Sequence, residues 1–261
     1  MKKRKYYSKV LISLLMIFIM IVMPGLSCLG QIDSLFVLAN KYYQQNEFDK
    51  AVNTYHLLIE KGIQSPEVFY NLGNAYYKRG ELGYAILYYE KAKLLAPYDE
   101  DINQNLAIAN VRVFDKIDVI PDFFIKRWIR FFINILPSNT WAIISLIAFA
   151  LMILLFLLYF FSGTLFIKKI SFYSAVILLF FTFLTYWSSV KRKKFITDNH
   201  TAVVVEPSVT VKSSPDKDGN NMFVLHEGTK VILIDHMGNW FEIRLTDGNK
   251  GWLEGESIRP V

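Results

Sequence analysis

Two apolar stretches constrain this chain more than anything else in it. Residues 141–161 read WAIISLIAFALMILLFLLYFF without a charge, and residues 171–190 read SFYSAVILLFFTFLTYWSSV, also uncharged. A helix rises about 1.5 Å per residue, so each stretch is about 30 Å long and matches the apolar core of a bilayer. The pattern predicts transmembrane helices over 138–161 and 171–190. Nine residues separate the stretches, with Gly163 as a breaker and Lys168 and Lys169 as polar anchors. So short a link makes the pair an antiparallel hairpin, with the segments on either side of it in one compartment. Trp141, Tyr159, Tyr173 and Trp187 stand near the stretch ends, where amphipathic rings settle at lipid headgroups.

A third apolar run lies at the start. Lys2, Lys3, Arg4, Lys5 and Lys9 precede residues 10–23, which break at Pro24-Gly25. A basic start, a short apolar run and small residues beyond it make a secretory signal over residues 1–30. Cys28-Leu29-Gly30 offers a cut before Gln31, lipidation at Cys28 is the rival, and an uncleaved anchor is the third option. Counting basic residues gives a tie between the two orientations of the hairpin. The basic leader, held inside, breaks the tie and places both soluble parts on the exported, periplasmic side of a bacterial inner membrane.

The net charge of +6 does not mark a nucleic-acid binder, because the basic residues gather beside the apolar stretches. Lys191-Arg192-Lys193-Lys194 comes directly after the second stretch, which suits headgroup contact and snorkelling. One cysteine excludes a disulfide framework.

Residues 66–99 read PEVFYNLGNAYYKRGELGYAILYYEKAKLLAPYD. Phe69, Leu72, Gly73, Tyr76, Ala85, Tyr89, Ala92 and Pro97 occupy the eight signature positions of a helical hairpin that resembles the tetratricopeptide repeat. Small Gly73 and Ala85 let the paired helices approach, and Pro97 ends the second one. A weaker unit spans 32–65, with Leu38, Ala39, Tyr42, Ala51 and Tyr55 in register but Leu58 and Ile63 replacing Ala and Pro. Residues 101–114 then supply a third first helix as a cap, which closes a repeat domain over 31–116.

Such a stack presents a concave surface from alternate positions of its first helices. Phe36, Asn40 and Tyr43, then Tyr70, Asn74 and Tyr77, and Arg112 from the cap are the candidate partner-binding residues. Asn40 recurs as Asn74 and Tyr43 as Tyr77. Asparagine amides can hold a peptide backbone, and tyrosine rings give rigid apolar contact. The recurrence is also explained by repeat duplication alone. After the cap, Ile120-Pro121-Asp122 reads as a turn, and 117–137 as an amphipathic linker. Its aromatics alternate with Lys126, Arg127 and Arg130, which fits a helix on the membrane surface or one packed on the repeats.

From residue 200 the periodicity shortens. Glu227-Gly228, Met237-Gly238-Asn239, Asp247-Gly248 and Glu254-Gly255 punctuate Val/Ile-rich runs, giving about five strands and a small all-β barrel over 200–261. Val209-x-Val211-x-Ser213-x-Pro215, Gly228-Thr229-x-Val231, Asn239-Trp240-Phe241-x-Ile243 and Gly251-Trp252-Leu253 resemble the bacterial SH3-like domain in order and spacing. Trp240 and Trp252 are expected to pack the barrel, with stacking on a wall carbohydrate as the alternative. His226 and His236 are read as lacking carboxylate or cysteine companions for a metal site, and are expected to be structural or exposed rather than metal ligands.

The order of leader, repeats, two spans and SH3-like domain, with Asp101-Ile102-Asn103-Gln104-Asn105-Leu106-Ala107, Asp115-Lys116-Ile117 and Leu225-His226-Glu227-Gly228-Thr229-Lys230-Val231, resembles the BatE type of the Bat aerotolerance proteins. That resemblance implies a membrane-bound component working beside von Willebrand A-type Bat proteins and a MoxR-type ATPase, in stress or oxygen tolerance or envelope-protein maturation. It carries over no catalytic residue. The residues show no nucleophile–base set, phosphate loop or metal cluster. The expectation is therefore a non-enzymatic scaffold without cofactors, partnered by other membrane proteins and the lipid bilayer. The alternative is an envelope sensor gripping peptidoglycan.

Overall fold

A computed structural model describes residues 30–117, 123–198 and 200–261. The signal and Cys28 readings fall outside the described residues, as does the Ile120-Pro121-Asp122 turn. The repeat region consists of α1 (Gly30–Gln44), α2 (Phe48–Glu60), α3 (Pro66–Arg79), α4 (Leu82–Leu95) and α5 (Glu100–Arg112). Local chemistry sets these bounds. The Ser65 hydroxyl accepts from the Val68 amide at 3.3 Å and Pro66 stands at the first turn of α3, while Gly80 ends it with a φ of 84°. The Asp99 carboxylate accepts from the Ile102 amide at 3.1 Å to start α5.

Gly73 confirms the close approach expected of the hairpin: a Cβ there would lie 2.7 Å from the Tyr89 ring. The core runs through Ala51, Tyr55 and Leu58 into Leu72, Ala75, Ile86, Tyr89 and Leu106.

Beyond the repeats, α6 (Phe124–Asn134) leads into α7 (Ser138–Phe161) and α8 (Leu165–Thr197). Both α7 and α8 are long and apolar enough to cross a membrane, and their most apolar windows are only 11% and 17% buried. A core helix of a soluble protein would be mostly covered. The nine-residue link expected from the sequence shrinks to Ser162–Thr164, because residues 165–170 are already helical and carry Lys168 and Lys169 on the first turns. Two serines within the pair find backbone acceptors, Ser145 donating to the Thr182 carbonyl at 3.2 Å and Ser189 to that of Ser138 at 2.9 Å. The buried Thr182 hydroxyl has no partner among the described residues.

At 33 residues, α8 is about 50 Å long and outruns its partner. Its projecting end carries Arg192, which is 1% exposed. The guanidinium donates to Asn134 Oδ1 at 2.9 Å and to the Leu94 and Leu95 carbonyls at 2.8 and 3.0 Å. Those carbonyls end α4, where unpaired oxygens and the helix dipole attract a cation. Arg192 thus pins the long helix to both α6 and the repeats, whereas the sequence pattern assigned the whole basic cluster to headgroups.

The C-terminal region is all β: β1 (Thr201–Val204), β2 (Ser208–Lys212), β3 (Asn221–His226), β4 (Lys230–Met237), β5 (Trp240–Arg244), β6 (Lys250–Glu254) and β7 (Ile258–Pro260). They form one antiparallel sheet in the order β3-β2-β6-β5-β4-β1-β7. There are seven strands rather than about five, and each predicted Gly-containing break falls between strands or, at Gly255, opens a short 3-10 turn. Val204, Val211, Val231, Ile243 and Leu253 fill the inside. Trp240 and Trp252 do not. Register pairs Trp240 with Glu254 and Trp252 with Glu242, so both rings share the face opposite Ile243 and Leu253, half-buried outside the core. Alternation along the strands decides this, since Gly251, Leu253 and Ile243 already claim the inner positions.

The sheet docks on α4. Gly83 donates its amide to Glu227 Oε2 at 3.1 Å, and a Cβ on it would lie 2.9 Å from the Val204 carbonyl. Across the same seam Gly228 takes a φ of 87°, and its missing Cβ leaves room for Ile86 and Val113. Lys230 pairs with Glu90 at 2.6 Å.

Candidate partner-binding groove

Each candidate groove residue sits on a first helix, and a repeating hydrogen-bonded rung engages three of them, Asn40, Tyr70 and Asn74. In the first rung the Tyr55 hydroxyl donates to Asn40 Oδ1 at 2.5 Å and Asn71 Nδ2 donates to the same oxygen at 3.2 Å. In the second, Tyr89 donates to Asn74 Oδ1 at 2.7 Å and Asn105 Nδ2 donates to it at 2.9 Å. Asn105 also donates to the Tyr70 hydroxyl at 2.9 Å. The rungs tie α1 to α3 and α3 to α5.

This changes what the asparagines can offer. Both carbonyl oxygens serve the stack itself, so neither side chain is a two-point clamp for a peptide. Neither Asn40 Nδ2 nor Asn74 Nδ2 has a hydrogen-bond acceptor among the described residues, and each side chain is only half-buried. What remains toward the groove is a pair of amide donors at equivalent positions.

The rings surround those donors. Phe36 meets Tyr55 edge-on at 6.3 Å, and Tyr43 meets Phe48 at 5.5 Å. Tyr70 lies 6.1 Å from Tyr89. Arg112 stands 5.2 Å over the Tyr77 ring, which gives the cap end of the groove its positive charge. Tyr43, Tyr70 and Tyr77 are half-buried, leaving part of each ring available. Burial, then the neighbouring Tyr43, pushes the Tyr55 phenol well above its usual range, and burial with Tyr70 does the same to Tyr89. These hydroxyls stay neutral donors. Asn71 and Asn105, equally spaced with the repeat, were not among the expected groove residues, although that spacing was there to be seen.

A second polar cluster joins the repeats to the sheet. Asp115, just past α5, accepts from the His226 amide at 2.7 Å and the Thr229 hydroxyl at 2.6 Å, and it meets His226 Nδ1 at 2.9 Å. Burial pushes its carboxyl up, but hydrogen bonds from Thr229 and His226 outweigh it and leave the net shift downward. His226 therefore has a carboxylate companion after all, 111 residues away in the chain. His236 stacks on Phe241 at 6.1 Å. No group of three potential metal ligands occurs among the described residues.

The hairpin geometry, its glycine contact and the recurring rungs are now matched by family comparison: residues 39–80 match the TPR repeat and 66–99 the Tetratricopeptide repeat. The helical region is built of tetratricopeptide repeats. Residues 207–259 match the Bacterial SH3 domain, with β1 lying ahead of the matched segment. Both are typically non-catalytic binding modules. No curated protein matches the chain.

Proposed function

We propose that this chain is a non-enzymatic, bilayer-anchored adaptor whose repeat groove holds an extended segment of another membrane protein. The observation that carries this reading is the pair of unpartnered amide donors on Asn40 and Asn74, at equivalent points of successive repeats and flanked by Tyr43, Tyr70 and Tyr77. An extended peptide offers backbone carbonyls at regular intervals, and half-exposed rings suit its side chains. Arg112 favours an acidic residue or C-terminal carboxylate at one end. The antiparallel pair α7 and α8 supports an anchor with repeats and sheet on one side, taken to be the exported face of an inner membrane. A von Willebrand A-type Bat protein is the proposed partner, in an assembly concerned with stress or oxygen tolerance.

The test separates groove from scaffold. Asn74→Asp keeps the acceptor for Tyr89 and Asn105 but removes the amide donors, so it should weaken co-purification of the partner several-fold with little change in melting. Losing one neutral hydrogen bond is worth about 0.5–1.5 kcal/mol. Tyr77→Ala and Arg112→Ala should act the same way. Undiminished capture by the Asn74→Asp, Tyr77→Ala double variant would remove the groove reading.

The outward Trp240 and Trp252 favour a second reading, in which the SH3-like sheet stacks on peptidoglycan. In that case Trp252→Ala abolishes sedimentation with cell wall while Asn74→Asp is silent.

A further inference from the structure

The helix α6 is amphipathic in the wrong sense for a soluble protein. Phe124, Trp128 and Phe132 recur four apart along one stripe, with Ile125 and Ile129 beside them. Lys126, Arg130 and Asn134 form the opposite stripe. In a helix packed by its apolar side, the first stripe would face the protein. Here the covered positions are Ile133 and Asn134: Asn134 accepts from Arg192, and the exposed Arg130 reaches 6.0 Å over the Phe195 ring of α8, while Lys126 stays exposed. The apolar stripe points away, and Trp128 is 79% exposed.

The helix is nonetheless held firmly in that pose. Tyr98, just beyond α4, donates to the Phe131 carbonyl at 3.2 Å and meets its ring at 5.4 Å. Trp141, in the first turn of α7, donates to the Ile133 carbonyl at 3.0 Å, and its ring meets Phe132 at 5.4 Å. Repeats, α7 and α8 all grip the last turns of this helix while Phe124, Ile125, Trp128 and Ile129 stay exposed.

We infer that α6 lies in the plane of the membrane, its Phe124–Trp128–Phe132 side embedded among lipid acyl chains. Two observations name the occupant. The bare stripe adjoins the exposed apolar surface of α7, with only Ile135, Leu136 and Pro137 between the helices, so one apolar medium covers both. The cationic Lys126 and Arg127 project from the same helix and complement anionic headgroups. The inference rests on α7 and α8 crossing a bilayer, and it resolves the two alternatives that the linker sequence left open. An embedded α6 would fix the height and tilt of the repeat groove above the lipid through Tyr98 and Arg192.

The test uses the full chain in phosphatidylcholine–phosphatidylglycerol nanodiscs, in a Cys28→Ser background with a fluorescent label on one introduced cysteine. Trp128→Cys and Phe124→Cys report on α6, Phe156→Cys on the middle of α7, and Met237→Cys on the water-facing sheet. All four positions are exposed, so labelling disturbs no packed core. An interfacial helix sits roughly 5–10 Å into the headgroup–acyl boundary. The α6 labels should therefore be quenched more by nitroxides near the top of the acyl chain than by those near its end. Their aqueous iodide quenching should be roughly threefold or more below that at Met237→Cys, by the same burial. Lipid quenching at Phe156→Cys with free iodide access at both α6 labels overturns the in-plane helix and leaves the spans standing. Loss of lipid quenching at Phe156→Cys overturns the spans themselves. Shielding of the α6 labels from iodide without lipid quenching, with disulfide formation between chains of the unlabelled Trp128→Cys variant, assigns the stripe to a second copy and also overturns the inference.

Discussion

Shifted by one repeat, the hairpin α1–α2 aligns on α3–α4, and the two agree on the groove side. Asn40 corresponds to Asn74, Tyr55 to Tyr89 and Asn71 to Asn105, with the same donors on the same acceptors. Even the left-handed residue after each first helix recurs, as Asn46 with a φ of 60° and Gly80 with 84°. Behind the groove they part. Where α4 has Gly83 and Leu87, α2 has Asp49 and Asn53, which face water. The second helix of the second repeat is buried on both flanks, one by its own stack and the other by the SH3-like sheet. A repeat can thus keep its groove side under one set of constraints while its back is free to become an interface.

The largest break in that comparison should come from Gly73→Leu. Its Cβ alone would be 2.7 Å from the Tyr89 ring, so overpacking should cost about 3 kcal/mol, the upper end for such changes. Thermal melting reads it, and an unchanged melting temperature would undo the claimed helix contact. Gly83→Leu should come next, at about 2 kcal/mol, by prising the sheet from α4 rather than by disrupting the stack. Protease cleavage near Lys116 and faster hydrogen exchange in β1 would report it. Asp49→Leu, its counterpart in the first repeat, should leave both unchanged, and equal effects would deny that the back of the second repeat is special.

The rungs differ more finely. Asn40→Ala removes the shared acceptor of Tyr55 and Asn71, whereas after Asn74→Ala the Asn105 amide still reaches the further Tyr70 hydroxyl. The first variant should therefore be the less stable by about 0.5–1.5 kcal/mol, the worth of one hydrogen bond. Equal melting would show that Tyr70 adds nothing. Smallest is the response to acid. Asp115 has a lowered folded pKa, so its contribution to docking is complete above the ordinary carboxylate value of about 4 and is lost as pH falls through the lower, folded one. Hydrogen exchange across β3 and β4 should rise there in the native chain and be insensitive to that step in Asp115→Asn.

The first helices that carry the proposed groove were legible because repeats write their constraints twice. Phe36, Asn40, Tyr43, Tyr70, Asn74, Tyr77 and Arg112 could all be placed on first helices from spacing alone. What spacing could not show was which atoms would remain free. Asn40 and Asn74 were read as peptide clamps, and half of each side chain turned out to be occupied by a tyrosine from the adjacent helix. The tryptophans failed for a related reason: aromatic residues in strands suggest a core, but strand parity decides which side they face.

Hydrophobicity and helical or strand period are local quantities, and they alone determined the apolar pair, the tetratricopeptide units and an all-β end punctuated at glycines. The carbonyl partners of Arg192 and the partners of Asp115 and Gly83 lie about a hundred residues or more away in the chain. No local pattern encodes such pairings. Only folding brought the α4 carbonyls to a buried guanidinium, the sheet to a helix lacking a Cβ, and a carboxylate to His226, because each depends on how separately stable elements come to rest against one another.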